Sequence, residues 1–192
     1  MARKSLNAGF LTSSELNALG VENAAQRNIL IHKTCVVLDF DRLRIGSNVR
    51  IDPFCVITCK QLTLGSYIHV GSGCSFSGSA RIEIEDFSTL SHHCMVFSSS
   101  DDYSGRSMTN PMVPAEYTDV HTEDVSVRRH TILGARSILL PGATVKEGAS
   151  TGAGTLVKGT LDPWTIYTGS PAKPLKPRSR QCLALEKKMR GV

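Results

Sequence analysis

Aliphatic residues return at every sixth position through most of this chain. That step fits neither the 3.6-residue period of an amphipathic helix nor the two-residue alternation of a half-buried strand. Val127, Leu133, Leu139, Val145 and Val157 keep one phase, with Thr151 filling the place between the last two. Upstream the step recurs in three blocks separated by small slips: Ile45, Ile51, Ile57, then Leu64, Val70, Phe76, Ile82, then Ile84, Leu90, Val96. Glycine often follows the anchor (Gly46, Gly65, Gly71, Gly134, Gly152), and a small or β-branched residue commonly stands four after it (Val49, Thr131, Ser137, Ala143, Ala149, Thr155). The pattern predicts short strands joined by corners and stacked as coils. Anchors then line one internal column while neighbouring coils hydrogen-bond to each other.

The cysteines fit the same frame. Cys55, Cys74 and Cys94 each fall four after an anchor, where a small apolar side chain is wanted, and a buried free thiol packs as a small hydrophobe. None of the six cysteines forms a CxxC pair, which argues against a zinc site or a disulfide scaffold.

Three pieces lie outside the period. Thr12-Ser13-Ser14-Glu15 is a capping-box sequence that predicts a short helix to Leu19, ended by Gly20. Gln181 to Arg190 reads as a terminal helix with Leu183, Leu185 and Met189 as its apolar residues. Between Phe97 and Asp124 the period vanishes, and a break of that length inside a stacked-coil fold maps to a loop on one face, often the functional one. The expected organisation is an N-terminal extension over 1–42, a coiled domain over 43–172 carrying the loop 97–124, and a basic tail over 173–192.

Charge sharpens this division. From Lys173 to Val192 seven Lys/Arg stand against one acid, Glu186, whereas the other 172 residues hold 15 basic and 16 acidic groups. The net +5 is therefore a property of the tail, and the body lacks the basic face that would mark a nucleic-acid binder. No apolar run reaches the length of a membrane span, and the segment behind Met1-Ala2-Arg3-Lys4 is too polar for the core of a signal peptide, so a cytoplasmic protein is expected.

The segments Leu133 to Gly142, Gly152 to Val157 and Thr168 to Lys173 are similar to the carboxy-terminal signature of the galactoside and maltose acetyltransferases. They are closer still to the acetyltransferases of surface-polysaccharide pathways. On these residues the chain resembles the hexapeptide-repeat acyltransferases. The resemblance implies a left-handed parallel β-helix, a homotrimer and acetyl-CoA as co-substrate. It implies coenzyme A running along the outside of the last coils, past backbone at Ala135 and Ala153. A threonine of the family pattern falls on Lys158, and two arginines fall on Lys173 and Lys176.

Acyl transfer to a hydroxyl needs a base for the acceptor proton, and histidine suits that role. In the family the base is a histidine at the start of the loop. Here the stretch reads Ser98-Ser99-Ser100-Asp101-Asp102-Tyr103, with Asp101 nearest to its place. Among six histidines, His130 directly follows the loop and precedes the signature segment. It is therefore the candidate base, oriented by Asp101 or Asp102; Asp101 acting alone and His121 are the alternatives. Tyr103, Asn110, Tyr117 and His121 are candidate acceptor contacts. The expected reaction is O-acetylation of a saccharide hydroxyl for a bacterial surface polysaccharide, with N-acetylation of a nucleotide-linked amino sugar as the alternative. Two further readings are a zinc enzyme resembling the γ-carbonic anhydrases, using His69, His92 and His93, and a non-catalytic scaffold. Neither family ligand spacing nor a lost cofactor signature supports them, and no metal is expected.

Overall fold

Three parallel sheets wrap into a prism in the computed structural model, which describes residues 9–191; Met1 to Lys4 lie outside them. The first face stacks Ile29–Ile31, Val49–Ile51, Ile68–Val70, Thr89–Leu90, Ile132–Leu133, Ser150–Thr151 and Thr165–Thr168. The second stacks Val36–Val37, Val56–Ile57, Ser75–Ser77, Met95–Phe97, Ile138–Leu139 and Leu156–Val157, and the third Leu43–Ile45, Gln61–Leu64, Arg81–Ile84, Val125–Val127, Thr144–Val145 and Thr160–Leu161. One strand from each face makes a coil, and coils are numbered here from the first. The winding is that of the left-handed parallel β-helix.

Register places the six-residue anchors over one another. Val70, Leu90, Leu133 and Thr151 pair in succession on the first face, Phe76, Val96, Leu139 and Val157 on the second, and Leu64, Ile84, Val127 and Val145 on the third. All twelve are buried. Successive strand residues face opposite ways, so each anchor's neighbours point outward. Coiling begins at Ile29, within the segment expected as an extension. Ile31, Val37 and Leu43 keep the six-residue step there, but no glycine follows them to mark the corners.

The slips of phase also have a place. All fall at the second corner, between the second and third faces, where Cys59 and Lys60 and then Gly78 to Ala80 lengthen coils two and three. The long loop leaves coil four at that same corner. Its arms Ser99–Ser100 and His121–Thr122 pair antiparallel, Glu123 N donates to Ser98 O at 3.0 Å, and Arg81 clasps Asp124 at 2.8 Å, so the base of the loop is closed. Inside it, Asp102 accepts from Ser104 N, Ser104 Oγ, Arg106 N and Ser107 N.

At the first corner the thiols form a ladder. Cys55 Sγ donates to Gly71 O at 3.3 Å, Cys74 Sγ to Ser91 O at 3.1 Å and Cys94 Sγ to Gly134 O at 3.3 Å, each reaching the next coil. Ser137 and Thr155 continue the same buried column. The third corner carries a second column. Asn48, Tyr67, Phe87, His130 and Trp164 each stand three after an anchor with φ between 53° and 60°, a left-handed conformation the corner imposes. Tyr67 stacks on Phe87 at 4.8 Å and Phe87 on His130 at 5.1 Å. At the end of coil five the position is Gly148, and Trp164 fills its space, so that a Cβ there would collide with the indole.

Helix α1 (Ser13–Ala18) carries the expected capping box of Thr12 and Glu15 and buries Leu16. After the last coil the chain reverses: Lys173–Pro177 adds an antiparallel strand to the first face, and α2 (Gln181–Arg190) follows. No residue of α2 is buried, and Leu185 and Met189 are exposed. The helix is held by ions instead. Glu186 takes His130 Nε2 at 2.7 Å and Arg129 at 2.6 Å, and Arg190 lies over the Phe87 ring at 5.2 Å. No helix among the described residues is long and apolar enough to cross a membrane.

Candidate active site

Val96 and Leu139 point into the core, so Met95, Phe97, Ile138 and Leu140 point out from the second face at coils four and five. Two cavities lie side by side over them. One, of about 310 Å³, is lined by Phe97, Ser99, Ser100, Asp101, Tyr103, Val120 and Leu140. The other, of about 370 Å³, is lined by His93, Met95, Arg136 and Ile138. The two lie along the same pair of strands as a groove in two parts with an apolar floor, Asp101 lining the part at the loop and His93 with Arg136 the part at the first corner.

That corner presents backbone. A Cβ on Gly134 would lie 2.5 Å from Thr151 O, so only glycine lets the coils close there. Ala135 and the exposed Ala153 follow on adjacent coils, with Gly154 N donating to Ala135 O at 2.8 Å. Lys158 is exposed on the second face just beyond them. Ala172 N donates to Leu156 O at 2.8 Å, which brings the chain back beside this edge before the exposed Lys173 and Lys176. The five residues expected along a coenzyme A edge thus divide into a contiguous trio, Ala135, Ala153 and Lys158, and a pair on the final strand.

His130 is placed differently from its expected pairing. It lies at the third corner, whereas the loop leaves from the second, and its partner is Glu186 of α2 rather than Asp101 or Asp102. Its side chain is 6% exposed, stacked on Phe87 and facing Trp164 at 6.2 Å. Arg178 Nη1 donates to its backbone oxygen at 2.6 Å. Burial alone would raise the Glu186 pKa, but the hydrogen bonds from His130 and Arg190, with the charge of Arg129, hold it below its ordinary value.

Of the loop residues, Asp101 and Tyr103 line the groove, and Tyr103 is 93% exposed. Asp102 is consumed in fixing the loop, and the hydrogen bonds from Ser104 lower its pKa. Asn110 Oδ1 accepts from Met112 N at 3.0 Å in a turn, Tyr117 closes a short 3₁₀ turn, and exposed His121 sits 3.4 Å from Glu123. His69 bonds to the buried Asp52 at 2.8 Å, His92 Nδ1 accepts from Ser72 N at 3.1 Å, and His93 packs under Gly73. Among the described residues no group of three His, Cys, Asp or Glu is placed to share a metal. Sequence reasoning did not single out His93 and Arg136 for the groove, although both stand three after an anchor, the step that defines a corner.

No family model matches the chain. A relative from Escherichia coli named dTDP-4-amino-4,6-dideoxy-D-glucose acyltransferase is 36% identical over 179 residues, 92% of this chain and 93% of the relative. Among solved structures, AntD, an N-acyltransferase from Bacillus cereus in complex with dTDP and 3-hydroxybutyryl-CoA, matches with a TM-score of 0.89 at 34% identity, over 95% of this chain and 97% of that one. Variants of AntD altered at a serine, and at an aspartate ten positions further on, match as well. At greater distance, WbbJ, a putative lipopolysaccharide biosynthesis O-acetyl transferase of Escherichia coli K12, is 23% identical over 82% of this chain and 83% of the relative.

Proposed function

Since this chain belongs to the hexapeptide-repeat acyltransferases, we propose that it moves an acyl group from coenzyme A onto the amine of a dTDP-linked amino sugar. This is the alternative reading of the sequence. O-acetylation of a saccharide, the first expectation, draws support only from the distant WbbJ. A serine variant of AntD has been captured with dTDP-4-amino-4,6-dideoxyglucose and coenzyme A, and the Escherichia coli relative carries that sugar in its name.

One observation within the chain carries the reading: the groove offers a carboxylate, Asp101, where O-acetyltransferases of the family hold a histidine. A sugar hydroxyl is a poor nucleophile that needs an imidazole-strength base. A neutral amine is a far better nucleophile toward a thioester, and a carboxylate suffices to accept the proton that nitrogen sheds as it attacks. In the reaction the amine nitrogen bonds to the thioester carbonyl carbon and the carbon–sulfur bond breaks. The proton that nitrogen loses passes through Asp101 to the departing thiolate. Of the aspartates in this chain, only Asp101 has a serine ten positions before it, Ser91, at the first corner of the same coil. That is the spacing of the positions varied in AntD.

Acyl-CoA would run along the first corner past Ala135 and Ala153, its thioester toward Ser91 and its phosphates near Lys158, Lys173 and Lys176. Lysine meets phosphate as a point charge without the bidentate grip of arginine. Tyr103 would cover the sugar. The deciding experiment measures free-thiol release from acetyl-CoA and 3-hydroxybutyryl-CoA with dTDP-4-amino-4,6-dideoxyglucose, dTDP-glucose and unactivated sugars. Release with the amino sugar and background release with the others is expected; faster release with a hydroxyl-only acceptor would reject the reading.

A further inference from the structure

A separate cavity continues from the loop toward the N-terminal coils along the second corner. It holds about 290 Å³ and is lined by Arg42, Thr58, Lys60, Gly78 and Ser79. Coil two supplies Thr58 and Lys60, coil three Gly78 and Ser79, and a 3₁₀ turn Phe40–Arg42 of the first coil supplies the arginine. Ser79 N donates to Ser99 Oγ at 2.7 Å, and Ser99 also lines the groove beside Asp101. The two cavities therefore share a wall.

The lining contains two cations, two hydroxyls and no carboxylate. Asp39 holds Arg42 through Nε at 2.9 Å, and Lys60 forms no salt bridge among the described residues. Asp124, whose carboxylate feels Lys60, is itself clasped by Arg81. The cavity on the third face makes the contrast. There Arg81 pairs with Asp124 and Arg128 with Glu85, and acids line the same space, so both of its arginines are matched, whereas in the second-corner cavity only Arg42 is. The body of the chain outside the tail carries 15 basic and 16 acidic groups, so an excess of cations at one corner is not a general background.

The geometry points to this cavity as a diphosphate subsite, in which Lys60 and Arg42, with Thr58 beside them, hold the diphosphate of the nucleotide-linked acceptor. The inference rests on the nucleotide-sugar reading above. In a 4-amino sugar the diphosphate and the amine sit at opposite ends of one ring. A phosphate site next to the groove, one wall from Asp101, meets that requirement. Lys60 contributes a point charge and Arg42 a planar donor set, the two modes by which proteins bind phosphate. Coenzyme A carries the same diphosphate chemistry, so the test separates the two sources.

The full-length protein and its Lys60→Ala, Lys60→Arg and Arg42→Ala variants are titrated calorimetrically with dTDP and, separately, with coenzyme A, and KM is measured for both substrates. Lys60 and Arg42 are exposed, so the variants are expected to fold, and circular dichroism checks that they do. Lys60→Ala is expected to weaken dTDP and raise the nucleotide-sugar KM by about tenfold or more, the loss of one charge-assisted contact, with coenzyme A binding unchanged and Lys60→Arg partly restored. Wild-type dTDP affinity in both alanine variants would sink the subsite and leave the acceptor reading standing. Weakened coenzyme A binding with dTDP unaffected would overturn the subsite in favour of the other substrate. A wild-type protein that binds no dTDP would remove the acceptor reading itself.

Discussion

The surroundings of Asp101 suit the base role proposed for it and those of His130 a packing role, and both assignments are testable. Asp101 lines an open groove, so Asp101→Asn removes the proton acceptor without disturbing any packed contact. The amine-acceptor kcat should fall by about a hundredfold or more, the contribution of a positioned base, while the melting temperature stays close to wild type. His130 is enclosed by Phe87, Trp164 and Glu186, and its loss leaves the Glu186 carboxylate without one of its partners. His130→Ala should cost about 1–3 kcal/mol of stability in thermal unfolding and leave kcat largely intact. A variant that melts normally yet has lost its turnover would return the base to His130.

The terminal helix shows how an element is held when its apolar face is too weak to do so. Helix α2 buries no residue and docks through Glu186, which gathers His130, Arg129 and Arg190. Because the folded state lowers the Glu186 pKa, its contribution is fully present above the ordinary value of 4.5 and is lost as pH falls through the lowered one. Melting curves between pH 3 and 7 should show stability falling on the acid side, with a shallower slope in Glu186→Gln. Identical slopes in the two proteins would show that the helix is held by something else. The basic tail thus divides: Arg178 and Arg190 serve docking and Arg180 lies over Trp164 at 5.5 Å, whereas Lys173 and Lys176 stay exposed.

At the scale of the molecule, stacked coils contact only their neighbours, so the prism has two open ends and three outer faces. Helix α1 closes the first end with Leu16. Outward-facing Phe54, Val56, Met95 and Ile132 leave apolar surface exposed on the first corner and its two flanking faces. Together with the trimeric habit of the family, this leads us to expect three copies of the 20.8 kDa chain in solution. Light scattering coupled to size exclusion checks that mass, and a monomer at micromolar concentration would refute it.

The chain by itself determined the coils, because a six-residue step with glycine or a small residue at fixed offsets has one economical solution: anchors inward and corners stacked. It determined the capping box of Thr12 and Glu15, the span of α2, the loop and the packing role of Cys55, Cys74 and Cys94, since each depends on neighbours within a few residues or on the repeat itself. The start of coiling at Ile29 escaped because its corners lack glycine. What only the tertiary structure decided is which corner each side chain occupies relative to the loop. His130 follows the loop in sequence but lies across the prism from it, one face further round, and its partner Glu186 arrives from 56 residues away. Asp101 meets Phe97 and Leu140 across two coils for the same reason. A linear repeat specifies how far each residue is along the winding. The proximity that makes a site depends on the winding closing upon itself and on the tail returning over it.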